Sequence, residues 1–224
     1  MTKPFYLLYS YDKIANPPLH VQEKINRILE KISKKVPEYK IIDFGSGTGR
    51  LTIPLLKNNY KVTAVDIDNF SLKHLRSNAK KNKRINNLKI ANKIVKKNYY
   101  SFIVGADVLH HVNMDKILPF FYESLNKKGK IIFSEPNALH LPWWFFVLFV
   151  SGFNNEKGMI FCNYFTLLNM LKKASFKKIK ISGFGLFPPQ MFMNFSFFHK
   201  INFYLGNLPF FKIFAFRFII EAQK

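Results

Sequence analysis

Apolar positions along the chain follow two periods. Between residues 19 and 36, Val21, Ile25, Ile28, Leu29 and Ile32 recur every three or four positions among Lys, Glu and Asn. That spacing predicts a surface helix over 19–36, ended by Pro37. Residues 40–44 are a short apolar run leading into Gly45-Ser46-Gly47-Thr48-Gly49, and a helix is predicted over 50–58, giving strand, glycine turn, helix. Residues 61–65 predict a second strand closing on Asp66, and 69–81 a helix that Asn69 or Ser71 would cap. A third strand is predicted over 88–91 and a fourth over 101–105. A helix over 114–126 then precedes a fifth strand over 130–134, after a turn at Lys128-Gly129. Further on come a helix over 166–173, a strand over 178–182 and a last strand over 213–222. Strands alternating with helices predict an α/β fold, a mostly parallel sheet covered on both faces that binds ligands beyond the carboxyl ends of its strands.

Two stretches break the pattern. Residues 143–150 are uniformly apolar, and 184–211 are rich in Phe and carry Pro188-Pro189. The first is far shorter than the roughly 20 residues a membrane-spanning helix needs. The N-terminal Met1-Thr2-Lys3-Pro4-Phe5-Tyr6 lacks the pattern of a secretory signal, so a cytoplasmic location is expected. With 48% hydrophobic residues in 224, disorder is excluded. One cysteine, Cys162, excludes an intrachain disulfide framework and a multi-thiolate metal centre, and no metal site is expected. The net charge of +22 is carried mostly by Lys spread over the whole chain, which fits a solvated surface as well as an anionic partner.

The strongest chemical signal is the glycine turn. Glycines after a strand let the backbone turn tightly and approach a ligand closely. The dinucleotide pattern would place a third glycine at position 50, where Arg50 stands, and no Gly-Lys-Ser/Thr follows as in a phosphate loop. Asp66, 23 residues after Asp43, closes the second strand where an acid can accept both hydroxyls of a ribose. Acids are scarce, 13 in all, yet Asp43, Asp66 and Asp107 each fall at or just past a predicted strand end. The bland alternative is that they cap the following helices.

In these residues the chain resembles the class I S-adenosylmethionine-dependent methyltransferases. The likeness is to the small-molecule branch that includes quinone-biosynthesis methyltransferases. It covers residues 11–134 well and 165–182 more loosely. It rests on 42–49, on Asp66 with Ile67, on Asp107-Val108-Leu109-His110-His111-Val112, and on Leu125-Asn126-Lys127-Lys128-Gly129. The resemblance implies a Rossmann-like, doubly wound, mostly parallel seven-stranded sheet with a last antiparallel strand and apolar insertions after the fifth and sixth strands. It implies one domain over 1–224, with a cap helix in 1–37, a cofactor-binding core in 38–135 and acceptor or lid insertions at 136–164 and 183–212. S-adenosyl-L-methionine is the implied cofactor, held by Tyr11, Asp43, Gly45, Ser46, Gly47, Gly49, Asp66, Ile67, Asn92, Ala106 and Asp107. Two positions depart from the family pattern: Asn92 replaces an Asp that takes the adenine amino group, and Ser101 replaces the Asp that starts the fourth strand.

Methyl transfer from a sulfonium needs an acceptor held in line and water kept out. A base is needed only where the acceptor carries a proton, and His111, His110 and Glu135 are the candidates. The apolar insertions, flanked by Lys172, Lys173, Lys177, Lys178, Lys200 and Lys212, point to a small hydrophobic or lipid-like acceptor and O- or C-methylation. They also suggest peripheral contact with an anionic membrane on its inner face, or a homodimer through the insertions. The alternatives are an RNA methyltransferase using the basic surface and a non-catalytic protein that binds donor or partner. A nucleic-acid base methyltransferase is disfavoured, because Asp107-Val108-Leu109-His110 stands where an Asn/Asp-Pro-Pro-aromatic motif belongs.

Overall fold

The structure, a computed structural model, describes residues 17, 19–151, 156–192 and 195–224. Seven strands form one sheet: β1 (Ile41–Phe44), β2 (Val62–Val65), β3 (Leu88–Ala91), β4 (Tyr100–Ala106), β5 (Leu125–Pro136), β6 (Lys177–Gly183) and β7 (Arg217–Gln223). Their order is β3-β2-β1-β4-β5-β7-β6. The helices are α1 (Leu19–Leu29), α2 (Thr52–Lys57), α3 (Asn69–Lys81), α4 (Met114–Ser124), α5 (Leu141–Phe146), α6 (Tyr164–Lys173) and α7 (Ser196–Leu205). This is the expected α/β architecture, including the late antiparallel strand.

The chain packs as two compact units. One comprises the described residues up to Gly105 together with Ser124–Gly129, and the other Ala106–Glu123 with Lys130–Lys224. In the first unit β1 runs parallel to β2 and β4, pairing Asp43 with Ala64 and with Val104, and β2 runs parallel to β3. Strands covered on both faces need continuous apolar runs, and Ile41, Ile42, Val62 and Ala64 are fully buried, as are Ile53, Leu55 and Leu56 of α2. In the second unit β7 runs antiparallel to β5 and β6, pairing Phe133 and Ile181 with Ile220. Phe121 stacks on Phe133 at 5.6 Å, and Phe184, Phe203 and Ile219 form a second apolar cluster.

Four element boundaries differ from the sequence expectation. The first helix stops at Leu29, not near 36, because the chain tightens into i−3 bonds from Lys31 to Ile28 and from Ile32 to Leu29. Ile32 stays buried from that turn, so helical spacing continues beyond the helix. The cap of α3 is Asp68, not Asn69 or Ser71: its carboxylate accepts the N–H groups of Phe70 and Ser71, each at 3.1 Å. α4 ends at Ser124 and passes straight into β5, with Lys128 at φ 70° inside the strand, although pairing with β7 begins at Lys130. The last strand starts at Arg217, because Phe211–Phe214 coils into a 3₁₀ turn. An unbroken apolar run has no period by which strand and turn can be told apart.

The two apolar stretches are largely helical. α5 continues into a π turn at Val147–Ser151, a 3₁₀ turn covers Lys157–Phe161, and Pro189–Phe192 forms another before α7.

Candidate functional site

In the first unit the glycine turn is laced to the end of β2. The N–H groups of Gly45 and Ser46 both donate to the Val65 carbonyl, at 2.9 and 3.1 Å. The Asp66 carboxylate then accepts from Gly47 N–H at 2.7 Å and from Asp68 N–H at 2.9 Å. Gly47 and Gly49 serve different ends. Gly47 sits at φ 50°, a left-handed conformation, and a side chain there would meet nothing within 4 Å, so the space above it is open. Gly49, at φ 108°, is closed in: a Cβ would lie 2.6 Å from Leu75 Cδ1 and 3.1 Å from Ile53 Cγ1. One glycine leaves open space above the turn and the other lets the side chains of two helices reach it.

Asp43 is placed differently from Asp66. It is 1% exposed and accepts the Thr52 hydroxyl at 2.5 Å, a support beneath the turn. Burial, opposed by the Thr52 bond, pushes its pKa up to about 7. Asn92, just past β3, donates its amide nitrogen to Asn69 Oδ1 at 2.7 Å, which leaves its oxygen as the acceptor for an amino group. Ser101, the other departure, accepts a bond from Asn126 at 3.1 Å. Tyr11 lies outside the described residues.

These residues fit a nucleoside. Asp66 offers a carboxylate for vicinal hydroxyls, Ile67 beside it is 90% exposed, and the buried Ser46 hydroxyl has no partner among the described residues. An apolar side chain so exposed and a hydroxyl so placed are what a flat base and a polar ligand would cover.

The second unit holds the other candidates. Ala106 ends β4, and Asp107 turns the chain at φ 59°, donating its N–H to the Ser134 carbonyl at 2.9 Å and pairing its carboxylate with Arg217 of β7. Beyond it, Leu109–His111 forms one 3₁₀ turn. Glu135, near the end of β5, is fully buried. A carboxylate there must be paired. Its Oε1 accepts the N–H groups of Val108 and Leu109, each at 3.0 Å, and its Oε2 lies 2.7 Å from His110 Nδ1. The far nitrogen of His110 lies 3.2 Å from Glu156 Oε2. Burial works against the imidazolium, but the two carboxylates outweigh it and push the His110 pKa up to about 9. Burial alone would raise the Glu135 carboxyl, yet the His110 bond and charge and the two N–H donors hold it below its ordinary value.

His111 is the contrasting case. Its ring lies 3.9 Å from that of His110, centre to centre, and burial together with the neighbouring imidazolium holds its pKa below the usual histidine range. The turn therefore carries one charged imidazole locked between carboxylates and, beside it, one partly exposed imidazole whose proton is held less firmly than usual.

The structure thus brings together His110, His111 and Glu135 as a group, and Gly45, Ser46, Gly47 and Asp66 as another. Sequence reasoning missed Glu156. It lies in an aperiodic apolar insertion, and its one signal is that it is the sole acid between Glu135 and Glu221. Its segment is pressed against the turn: a Cβ on Gly158 would overlap the His110 carbonyl oxygen. His110, His111 and Glu156 present ligand atoms within 4.8 Å of one another, as do His110, Glu135 and Cys162. Cys162 is buried, which pushes its thiol well above the ordinary pKa.

A family profile described as Methyltransferase domain matches residues 18–181. The chain belongs to the methyltransferase-domain family. Its fold is that of the class I S-adenosylmethionine-dependent methyltransferases. An S-adenosylmethionine-dependent methyltransferase from Archaeoglobus fulgidus superposes with TM-score 0.65 at 15% identity, covering 99% of this chain and 100% of that one. Geranyl diphosphate C-methyltransferase from Streptomyces coelicolor, solved with S-adenosylhomocysteine, gives 0.64 at 11% identity, over 90% of this chain and 75% of that one. Phosphoethanolamine N-methyltransferase 2 from Haemonchus contortus, solved with S-adenosylmethionine, gives 0.65 at 16% identity over 90% of this chain. The chain spans about half, 52%, of that protein's length. At these identities the likeness is one of fold. No curated protein matches the chain in sequence.

Proposed function

We propose that the chain transfers a methyl group from S-adenosylmethionine to a small apolar or lipid-like acceptor, at oxygen or carbon, by in-line displacement. The observation that carries this reading is His111, open to solvent beside a His110 held at both nitrogens by carboxylates, in the unit whose insertions expose apolar side chains. S-adenosylmethionine, when bound, supplies a methyl group on a sulfonium that needs no further activation. Asp66 would accept the ribose hydroxyls, Ile67 would cover the adenine, and the Asn92 oxygen would take the amino group. Gly47 lets the backbone approach.

His111 takes the proton of a hydroxyl or acidic carbon acceptor, since a base must be neutral when the acceptor arrives. His110 cannot serve, because both its nitrogens face carboxylates and its proton is held. His110, Glu135 and Glu156 are positioning residues, fixing the turn that presents His111. We place the chain in the cytoplasm, peripheral to a membrane that supplies the acceptor.

The test incubates the protein with methyl-labelled donor and host-cell extract, then counts label in lipid, RNA, protein and aqueous pools. Label in the organic fraction, lost in Asp66→Ala, is the expected result. Label in RNA would overturn the acceptor, and donor binding without transfer to any pool would overturn the enzymatic reading.

A further inference from the structure

Large apolar side chains are exposed at 21 described positions, and 17 of these lie between residues 141 and 214. The most ordered arrangement is on α7. Phe197, Phe198, Ile201 and Tyr204 are all exposed, and 197, 201 and 204 follow the i, i+4, i+7 spacing of one helix face. The opposite face is fixed from within. Asn202, 2% exposed, accepts the N–H groups of Leu186 and Phe187 at 2.9 and 2.8 Å and donates to the Phe187 carbonyl at 2.9 Å. Phe203 packs edge-on against Phe184, ring centres 4.8 Å apart. A helix held by a buried amide on one side cannot rotate to hide the apolar stripe on the other. A stripe of this kind marks an interaction surface.

Charge decides what covers it. Residues 183–216 contain no acid, and α7 carries Lys200. Five of the six acids of the same unit are paired within it, Asp107 with Arg217, Asp115 with Lys173, Glu135 and Glu156 with His110, and Glu221 with Lys130, and the sixth, Glu123, lies on α4. Lys200, on α7 itself, is exposed. With +22 on each chain, a second copy would meet like charge, whereas an anionic surface meets opposite charge. Apolar side chains beside Lys200, with Tyr204 among them and no acid in 183–216, match the boundary between headgroups and acyl chains.

We propose that the outer face of α7 docks the chain onto an anionic lipid leaflet, with Phe197, Phe198, Ile201 and Tyr204 entering the headgroup boundary and Lys200 meeting the lipid charge. No helix among the described residues is long and apolar enough to cross a membrane, so α7 lies in the plane of the surface. As a route by which an apolar acceptor reaches the protein, the docking rests on the transfer reading above; the docking itself is measured without methyl transfer.

The experiment floats the full chain with vesicles of phosphatidylcholine, with and without about one third phosphatidylglycerol, at low and high salt. Flotation is expected with the anionic vesicles only, weakened by salt. The triple variant F197S/I201S/Y204S should cut the bound fraction by about tenfold or more while S-adenosylhomocysteine binding and thermal melting are unchanged. Phe197→Leu, which keeps the face apolar, should still bind. Absence of flotation, equal binding to neutral vesicles, or equal binding by the triple variant would overturn the proposal. So would a dimer in light scattering that the triple variant dissolves, since the stripe would then be a self-interface. Because donor binding is read separately, failure of docking and failure of the methyltransferase reading give different results.

Discussion

Replacing Glu156 with Gln keeps the shape of the side chain but removes one of the two carboxylates holding His110. In the native protein the His110 pKa stands at about 9, against 6.5 for an ordinary histidine. A tenfold change in proton affinity corresponds to about 1.4 kcal/mol, so the folded state gains about 3 kcal/mol from this proton. The pKa is higher folded than unfolded, so this stability is fully present below pH 6.5 and is lost as pH rises through about 9. Glu156→Gln should remove roughly half of it, about 1–2 kcal/mol, and move the midpoint of the His110 titration to a pH lower by about 1. Urea unfolding of both proteins between pH 6 and pH 10 measures the first quantity, and histidine NMR titration the second; their difference cancels the ionisation of surface lysines and tyrosines. Parallel stability curves with an unmoved His110 titration would refute the idea that Glu156 holds the imidazolium.

Gly49→Ala forces a Cβ to 2.6 Å from Leu75 Cδ1 at a backbone angle of φ 108°. It should cost about 2–4 kcal/mol in chemical unfolding, and a loss under about 0.5 kcal/mol would contradict the packing role. His111→Ala should lower the turnover of the labelled transfer by about 10²-fold or more, with S-adenosylhomocysteine affinity unchanged in calorimetry. Equal turnover would show that the acceptor needs no base.

The glycine turn from Gly45 to Gly49 and the place of Asp66 at the end of β2 were readable because they are local. A strand, a glycine turn and an acid at the next strand's end all lie within a short stretch of chain, and backbone geometry dictates the residue types. The split between His110 and His111 was not readable. The two are adjacent and chemically identical in sequence; what separates them is burial between Glu135 and Glu156, and Glu156 comes from an aperiodic insertion. Asp43 shows the same limit from the other side. Its place at a strand end suggested a ligand contact, and the sequence did not show that its buried carboxylate also accepts the Thr52 hydroxyl. Boundaries failed where periodicity was ambiguous: at Leu29, where a turn kept helical spacing, and at 213–216, where an all-apolar run coiled before β7 began.

Strand order also sets a timetable for synthesis. The strands of the first unit, β3-β2-β1-β4, are all made by Ala106, and each can find its neighbour as it emerges. In the second unit β7 lies between β5 and β6, so β6 waits at the edge for a strand made after the Phe-rich insertion. That late strand also brings Arg217, the cation for Asp107. A nascent chain that has already formed its glycine turn therefore still lacks the counter-charge behind its histidine turn, and its apolar insertions leave the ribosome before the strand that completes the sheet. For that interval those apolar side chains are open to non-native contacts.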